Sequence, residues 1–140
     1  MKAAVIFEKG QPRMKSLADE VSAGLASAGF DVDTIAAEAG SSPKSMAAYD
    51  LVVLGGTGRG FLGKQIPSGL SDYVARCTRL EGKRAVAFTI PRTVGTARVL
   101  KGLMGLLEKQ GANVVDFSEL RNRNQARDFG ARQQQRGATD

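Results

Sequence analysis

Three short segments of this chain carry residue types that could hold a ligand. Residues 8–13 combine charged side chains with a glycine, residues 55–65 are rich in glycine, and residues 89–96 combine threonines, a glycine and an arginine. Lys and Arg can supply charge-assisted hydrogen bonds to an anion. Glycines let a backbone turn tightly or approach a flat ligand closely. Whether the three segments form one site therefore depends on the strands and helices that position them.

The glycine-rich segment contains a match to a known nucleotide-binding pattern. Residues 58–63, Gly-Arg-Gly-Phe-Leu-Gly, fit G-x-G-x-x-G after a predicted strand. The pattern should open a helix directly, but residues 64–67 intervene and Pro67 favours a helix start only there. Thr89 also stands where an acidic residue would bind a ribose. We therefore expect these glycines to serve a tight turn or a flat ligand rather than NAD; a mobile loop without a ligand is the alternative.

The first and third segments each have two interpretations. Before a helix, free amide N–H groups and the side chains of Lys9 and Arg13 could hold a phosphate, although Pro12 removes one amide and Glu8 would repel a dianion. In residues 89–96 the hydroxyls and the guanidinium could surround a ring edge or hold another anion. Alternatively, the threonines of that segment, Thr93 and Thr96, could simply cap the next helix.

The chain has no histidine and a single cysteine, Cys77. Without histidine, Ser/His and Cys/His hydrolases are excluded, and the commonest general base and metal ligand are missing. Cys77 excludes an internal disulfide and falls among helix-spaced apolar positions, which predicts a buried, unreactive thiol. The sequence shows no acid–base or nucleophilic machinery, so any enzymatic activity would depend on a bound cofactor.

The net charge of +6 comes from 20 Lys and Arg against 14 Asp and Glu, with the basic residues gathered in the second half. Such a field attracts an acidic protein, a nucleotide or an anionic surface, or it can serve only as a solvated face. Nucleic acid is disfavoured, because neither aromatic platforms nor a recognition-helix motif accompany the charge. No apolar stretch approaches the roughly 20 residues that span a bilayer, so we expect a cytoplasmic protein without membrane insertion.

Apolar runs at residues 3–7, 51–54 and 85–88 predict strands that are covered on both faces, as in a parallel sheet. Residues 30–33 and 113–117 mix apolar and polar side chains, which indicates less buried strands at the sheet edges. With the first, third and fourth strands central, the strand order is 2-1-3-4-5.

Amphipathic periods at residues 14–28 and 99–107 predict helices, and a weaker one spans residues 122–132. Residues 43–48 support at most a short helix. Strands that alternate with helices predict a three-layer α/β/α sandwich with a five-stranded parallel sheet. We expect one domain over residues 1–132 and a disordered tail over residues 133–140.

Two stretches resemble the flavodoxin family. Residues 49–60, Tyr-Asp-Leu-Val-Val-Leu-Gly-Gly-Thr-Gly-Arg-Gly, are similar to its third strand and isoalloxazine loop, and Ile66-Pro67 with Leu70, Tyr73 and Val74 to the helix that follows. Residues 82–88, Gly-Lys-Arg-Ala-Val-Ala-Phe, are similar to its fourth strand. The resemblance extends over nearly the whole chain, about residues 1–132, and implies the flavodoxin-like fold.

The resemblance also implies a cofactor, FMN. Flavodoxins hold the FMN phosphate in a loop of the form Thr/Ser-x-Thr-Gly-x-Thr, whereas residues 8–13 lack those hydroxyls and offer Lys9 and Arg13 instead. Backbone amides of residues 55–60 and 93–95 would contact the ring edge, and Phe61 would stack on the ring. The implied cofactor-binding residues are Lys9, Gly10, Gln11, Arg13, Gly55, Gly56, Thr57, Gly58, Arg59, Gly60, Phe61, Pro91, Arg92, Thr93 and Gly95.

Two functions follow from these observations. The first is a protein that binds FMN non-covalently and acts in electron transfer, as a carrier or as an FMN-dependent oxidoreductase. The second is a flavin-free binding or regulatory module of the same fold, which would recognise an acidic protein or a nucleotide. The altered first loop and the scarcity of aromatic residues favour the second, and the resemblance favours the first.

Overall fold

The structure is a computed structural model that describes residues 1–63 and 65–134. Five strands and four helices alternate within those residues. The strands are β1 (Lys2–Glu8), β2 (Asp31–Ala37), β3 (Leu51–Gly55), β4 (Arg84–Thr89) and β5 (Asn113–Glu119). The helices are α1 (Pro12–Ser27), α2 (Ser68–Arg76), α3 (Thr96–Lys109) and α4 (Arg123–Ala131).

The strands form one sheet in the order β2-β1-β3-β4-β5, and every pairing in it is parallel. The predicted strand order is therefore confirmed. It arises because β1, β3 and β4 are almost entirely buried, whereas β2 and β5 are only partly covered. Apolar runs without alternation belong in the middle of a sheet whose two faces are both covered.

Helices cover both faces of the sheet and create two apolar cores. Side chains of α1 and α4 pack on one face, around Phe88 and Phe129, whose rings meet edge to face with centroids 6.2 Å apart. Side chains of α2 and α3 pack on the other face, around Leu54, Leu70 and Leu103. The molecule is thus the predicted three-layer sandwich, with its loops gathered at the two ends of the strands.

The connection between β2 and β3 departs from the strand–helix alternation. Residues 38–50 contain turns and an isolated bridge at Ser45, and no helix forms at residues 43–48, where the sequence supports at most a short one. Pro43 lacks an N–H, and the neighbouring serines favour turns over helix. Elsewhere the helix ends are regular: Gly29 and Gly111 follow α1 and α3 with φ of +98° and +85°, the left-handed conformation typical of such ends.

The packed part of the chain reaches beyond residue 132, where the sequence predicts the domain to end. Gln133 is fully buried, and its side-chain amide donates to Asp116 Oδ2 and to the Phe129 carbonyl, both at 2.9 Å. Residues 135–140, the rest of the predicted tail, lie outside the described residues. The segment just after α4 is therefore attached to β5 by a hydrogen bond of the Gln133 side chain. The spacing of apolar residues in the sequence did not indicate this contact.

Candidate functional site

The carboxyl ends of β1, β3 and β4 bring the three candidate segments to one edge of the sheet. Phe7 pairs with Gly55, and Gly55 pairs with Phe88, so the loops after these strands start side by side. In an open parallel sheet, ligands bind outside this edge where the strand order reverses, here between β1 and β3. The segments that the sequence singled out are therefore neighbours in space.

One arginine ties the loop after β4 to the loop after β3. The Arg92 guanidinium donates to the Gly58 carbonyl at 2.7 Å, to the Phe61 carbonyl at 3.3 Å and through a short contact to the Gly60 carbonyl. It also donates to the carbonyl of Val94, in its own loop, at 3.0 Å. A planar fork with five N–H donors suits such a set of carbonyls. Arg92 therefore holds the two loops together rather than pointing freely at a ligand.

The glycines of these two loops make the close contact possible. A Cβ on Gly58 would lie 2.4 Å from Val99 Cγ2, and one on Gly95 would lie 2.2 Å from the Leu62 carbonyl oxygen. Gly95 also has φ of +89°, which strains other residues. Gly60, with φ of +81°, has open space around it at the turn. Gly58 thus lets its loop pack against α3, Gly95 lets the two loops approach each other, and Gly60 serves a turn.

Thr96 and Thr89 strengthen the same junction, and the threonine-cap interpretation is wrong for α3. Gly95 is the N-cap residue of α3, and no side chain caps that end. Instead the Thr96 hydroxyl accepts from the Arg92 N–H at 2.8 Å and donates to the Arg92 carbonyl at 3.2 Å. The Thr89 hydroxyl donates to the Gly56 carbonyl at 2.6 Å. The hydroxyl groups of Thr89 and Thr96 therefore hold the two loops in place.

An exposed aromatic ring borders an open groove beside this junction. Phe61 is 81% exposed and Val94 is 40% exposed, although apolar side chains of this size are usually covered. With Pro91, Arg92 and Thr93 they line a groove of about 500 Å³. The ring face of Phe61 and the flat side of Pro91 are apolar surfaces on which a planar ligand could stack.

The structure does not bring the two predicted phosphate-binding cations together. Lys9 forms an ion pair at 2.6 Å with Glu38, which follows β2. Arg13 turns the other way and donates at 2.7 Å to the carbonyl of Arg121, which follows β5. Gln11 is the N-cap residue of α1 but makes no side-chain cap, and Gly10 turns the chain with φ of +95°. The first loop therefore lacks a converging set of donor side chains.

Glu8 is a site residue that the sequence did not select. Its side chain is only 4% exposed at the end of β1. The carboxylate accepts hydrogen bonds from the Thr57 hydroxyl, with 2.9 Å to each oxygen, and from the Thr57 N–H at 3.3 Å. Thr57, a predicted cofactor-binding residue, thus binds a carboxylate of its own chain. The one available signal was an acidic residue that directly follows a fully apolar run.

Arg59 lies in the same loop and is exposed. Its backbone pairs with Gln65 in an isolated antiparallel bridge, with Arg59 N–H donating to the Gln65 carbonyl at 2.6 Å. Backbone hydrogen bonds therefore join the two ends of the glycine-rich segment.

Comparison with known proteins identifies the architecture. No known protein-family model matches the chain, and no curated protein matches its sequence.

Three solved structures superpose on it along nearly its whole length. Oxidised flavodoxin 2 from Bacillus cereus has a TM-score of 0.77 at 20% identity, covering 99% of this chain and 99% of that one. Oxidised flavodoxin 1 from the same organism has 0.73 at 23% identity, covering 94% and 95%. A flavodoxin, WrbA-like protein from Agrobacterium tumefaciens has 0.74 at 17% identity, covering 99% and 98%. This chain has the flavodoxin-like fold.

The site of this flavodoxin-like chain fits a flavin in one part and not in another. The Phe61 groove, at the carboxyl ends of β3 and β4, offers apolar surface on which a planar ring could stack. The first loop has no hydroxyl side chain, its cations Lys9 and Arg13 are engaged on opposite sides, and the buried Glu8 carboxylate adjoins it. The groove therefore offers surface for a planar ring, whereas the described side chains of the first loop do not converge on a phosphate position.

The remaining chemistry of the described residues is sparse. Cys77 is buried and free as predicted, and its burial raises the pKa of the thiol to about 11, so it is a poor nucleophile. No group of three or more acidic or cysteine side chains in the described parts of the chain could hold a metal ion. None of the described helices is long and apolar enough to cross a membrane.

Proposed function

We propose that this chain binds a flavin non-covalently and acts in electron transfer. The observation that carries the proposal is the exposed Phe61 ring beside an open groove at the carboxyl edge of β3 and β4. FMN is the form that the resemblance to flavodoxins implies, and the superposed flavodoxin structures support a flavin. A bound flavin would supply the redox chemistry, since the chain shows no acid–base or nucleophilic set of its own.

The chain's own residues would position the ring. Phe61 would stack on it, while backbone groups of residues 55–60 and 93–95 would contact its edge. The Arg92 contacts to the Gly58, Gly60 and Phe61 carbonyls support this role, because they fix the loop that carries Phe61 relative to the loop after β4. Preorganised loops lose less conformational freedom on binding than mobile ones.

The test is a visible absorption spectrum of the purified protein, before and after incubation with FMN or riboflavin and desalting. We expect a retained flavin spectrum, and we expect Phe61→Ala to weaken flavin binding by about threefold to tenfold through loss of stacking. Phe117→Ala is the matched control, because Phe117 is also exposed, at 53%, but lies on β5 away from the groove. Equal effects of the two substitutions would contradict a stacking role for Phe61.

A flavin-free binding module is the second candidate, and the loop geometry favours it at one point. Arg92 donates its guanidinium N–H groups to backbone carbonyls, so this cation is engaged within the chain rather than directed at an anionic cofactor. The net charge of +6 would then attract an acidic partner. If neither wild-type protein nor either variant retains any flavin, this second function replaces the first.

A further inference from the structure

We propose that the site selects a flavin that lacks the phosphate, so that riboflavin binds more tightly than FMN. The inference rests on the proposed flavin-binding function and names the form of flavin that this site takes. It follows from Glu8, whose buried carboxylate supplies an internal negative charge beside the first loop.

Glu8 occupies the donors that an anionic ligand would need. Its carboxylate accepts from both the hydroxyl and the N–H of Thr57, at 2.9 Å and 3.3 Å. These groups lie between the ends of β1 and β3, where the strand order reverses and ligands of such sheets bind. An anion that entered here would meet a carboxylate in place of free donors.

The negative charge of Glu8 is not balanced by an ion pair with any cation in residues 1–63 or 65–134. Lys9, its neighbour in sequence, pairs with Glu38 instead, and Arg13 donates to the Arg121 carbonyl. Because Glu8 is buried, solvent ions screen its field less than they screen a surface charge. A phosphate dianion in the first loop would therefore lie in the field of Glu8, which the exposed Arg59 at the border of the same cavity offsets only in part.

A polyhydroxyl chain suits the same place. Glu8, Glu38, Lys9 and Arg59 border a cavity of about 440 Å³ at the ends of β1 and β2. Carboxylates only accept hydrogen bonds, and hydroxyl groups donate to them strongly. The ribityl chain of riboflavin ends in an uncharged hydroxyl that can donate to such a carboxylate, whereas the phosphate of FMN cannot do so when fully ionised.

The test is a pair of fluorescence titrations, with riboflavin and with FMN, on the wild-type protein at one ionic strength. We expect riboflavin to bind at least about tenfold more tightly than FMN, as expected for a like charge held near a dianion. Glu8→Gln removes the charge and keeps the size of the side chain. We expect it to strengthen FMN binding by about tenfold and to weaken riboflavin binding, because a neutral amide oxygen accepts a hydroxyl hydrogen bond less strongly than a carboxylate.

Glu108→Gln is the matched control. It also removes one negative charge, but from an exposed position near the end of α3, at the opposite end of the strands. We expect the control to keep the wild-type ratio of the two affinities. Circular dichroism establishes that each variant is folded, and the wild-type ratio decides even if Glu8→Gln does not fold.

The outcomes separate the two proposals. Tighter binding of FMN than of riboflavin by the wild type, or an affinity ratio that Glu8→Gln leaves unchanged, would overturn the selectivity and leave the flavin function standing. If the wild type binds neither riboflavin nor FMN, both proposals are wrong.

Discussion

Arg92 is the residue through which the two central loops support each other. Its guanidinium reaches carbonyls at Gly58, Gly60 and Phe61 on one loop and at Val94 on the other. Lysine would keep the charge but could not satisfy a planar arrangement of several acceptors. The position therefore requires arginine for its shape as much as for its charge.

We expect Arg92→Lys to loosen the glycine-rich loop without unfolding the protein. Hydrogen exchange of the Arg59, Gly63 and Gln65 amides, which are bonded within that loop, should accelerate by about tenfold. Arg98→Lys makes the same chemical change at an exposed position on α3 and should leave these amides unaffected. Unchanged exchange in Arg92→Lys would mean that the loop holds its shape without the guanidinium.

The sequence indicated which loops lie at the carboxyl edge of the central strands, but not the contacts that their side chains make. The density of glycines after β3 indicated tight turns or close approach of the backbone, and Gly60 with its positive φ and Gly58 with its close contacts show these two features. The partners of Lys9 and Arg13 lie 29 and 108 residues away, so no local pattern could reveal them. Those contacts depend on which loops the strand order brings together.

The order and burial of the strands were predictable because each apolar run is a local signal. Runs without alternation became the buried β1, β3 and β4, and mixed runs became the edges β2 and β5. The irregular connection at residues 38–50 was not predictable, since Pro, Ser and Ala leave both a short helix and turns open. Helix–helix contacts were also hidden, because glycine within a helix has no periodic signature.

The crossing of α1 and α4 depends on two such glycines. A Cβ on Gly130 would lie 2.2 Å from the Val21 carbonyl oxygen, and one on Gly24 would lie 2.1 Å from the Arg127 carbonyl oxygen. Backbone atoms cannot move aside as a flexible side chain can, so any larger residue would force the helices apart. The two glycines therefore let the helices approach closely.

We expect Gly130→Ala to lower the free energy of unfolding by about 1–3 kcal/mol, through overpacking at this crossing. Gly105→Ala is the control, because Gly105 is exposed in the middle of α3 and a Cβ there meets nothing within 4 Å. Alanine should stabilise that helix by up to about 1 kcal/mol. Urea unfolding measures both, and a stabilising effect at both positions would refute the close crossing.

At the scale of the whole molecule, the two faces of the sheet differ in their response to alkaline pH. Tyr49, Tyr73 and Cys77 all lie in the core between the sheet and the α2–α3 layer. Burial is the main cause that raises the pKa of Tyr49 to about 12, and its hydrogen bond to Asp33 adds to the effect. Burial likewise raises the pKa of Cys77 to about 11 and that of Tyr73 above its ordinary value. The core on the other face contains no tyrosine or cysteine among its described members.

These shifts predict a loss of stability at alkaline pH. A raised pKa in the folded state favours folding fully below the ordinary pKa, which is 9.0 for Cys77 and 10.0 for the tyrosines. Above those values the unfolded chain loses its protons first, so the free energy of unfolding falls as the pH rises from about 9 towards about 12. Urea unfolding at a series of pH values from 7 to 11.5 measures this decline.

Cys77→Ala removes the group with the lowest ordinary pKa. The free energy of unfolding of this variant should therefore decline less steeply between pH 9 and 10 than that of the wild type. An identical slope in both proteins would show that the thiol is not protected from ionising, and the decline would then belong to the tyrosines and to general charge repulsion.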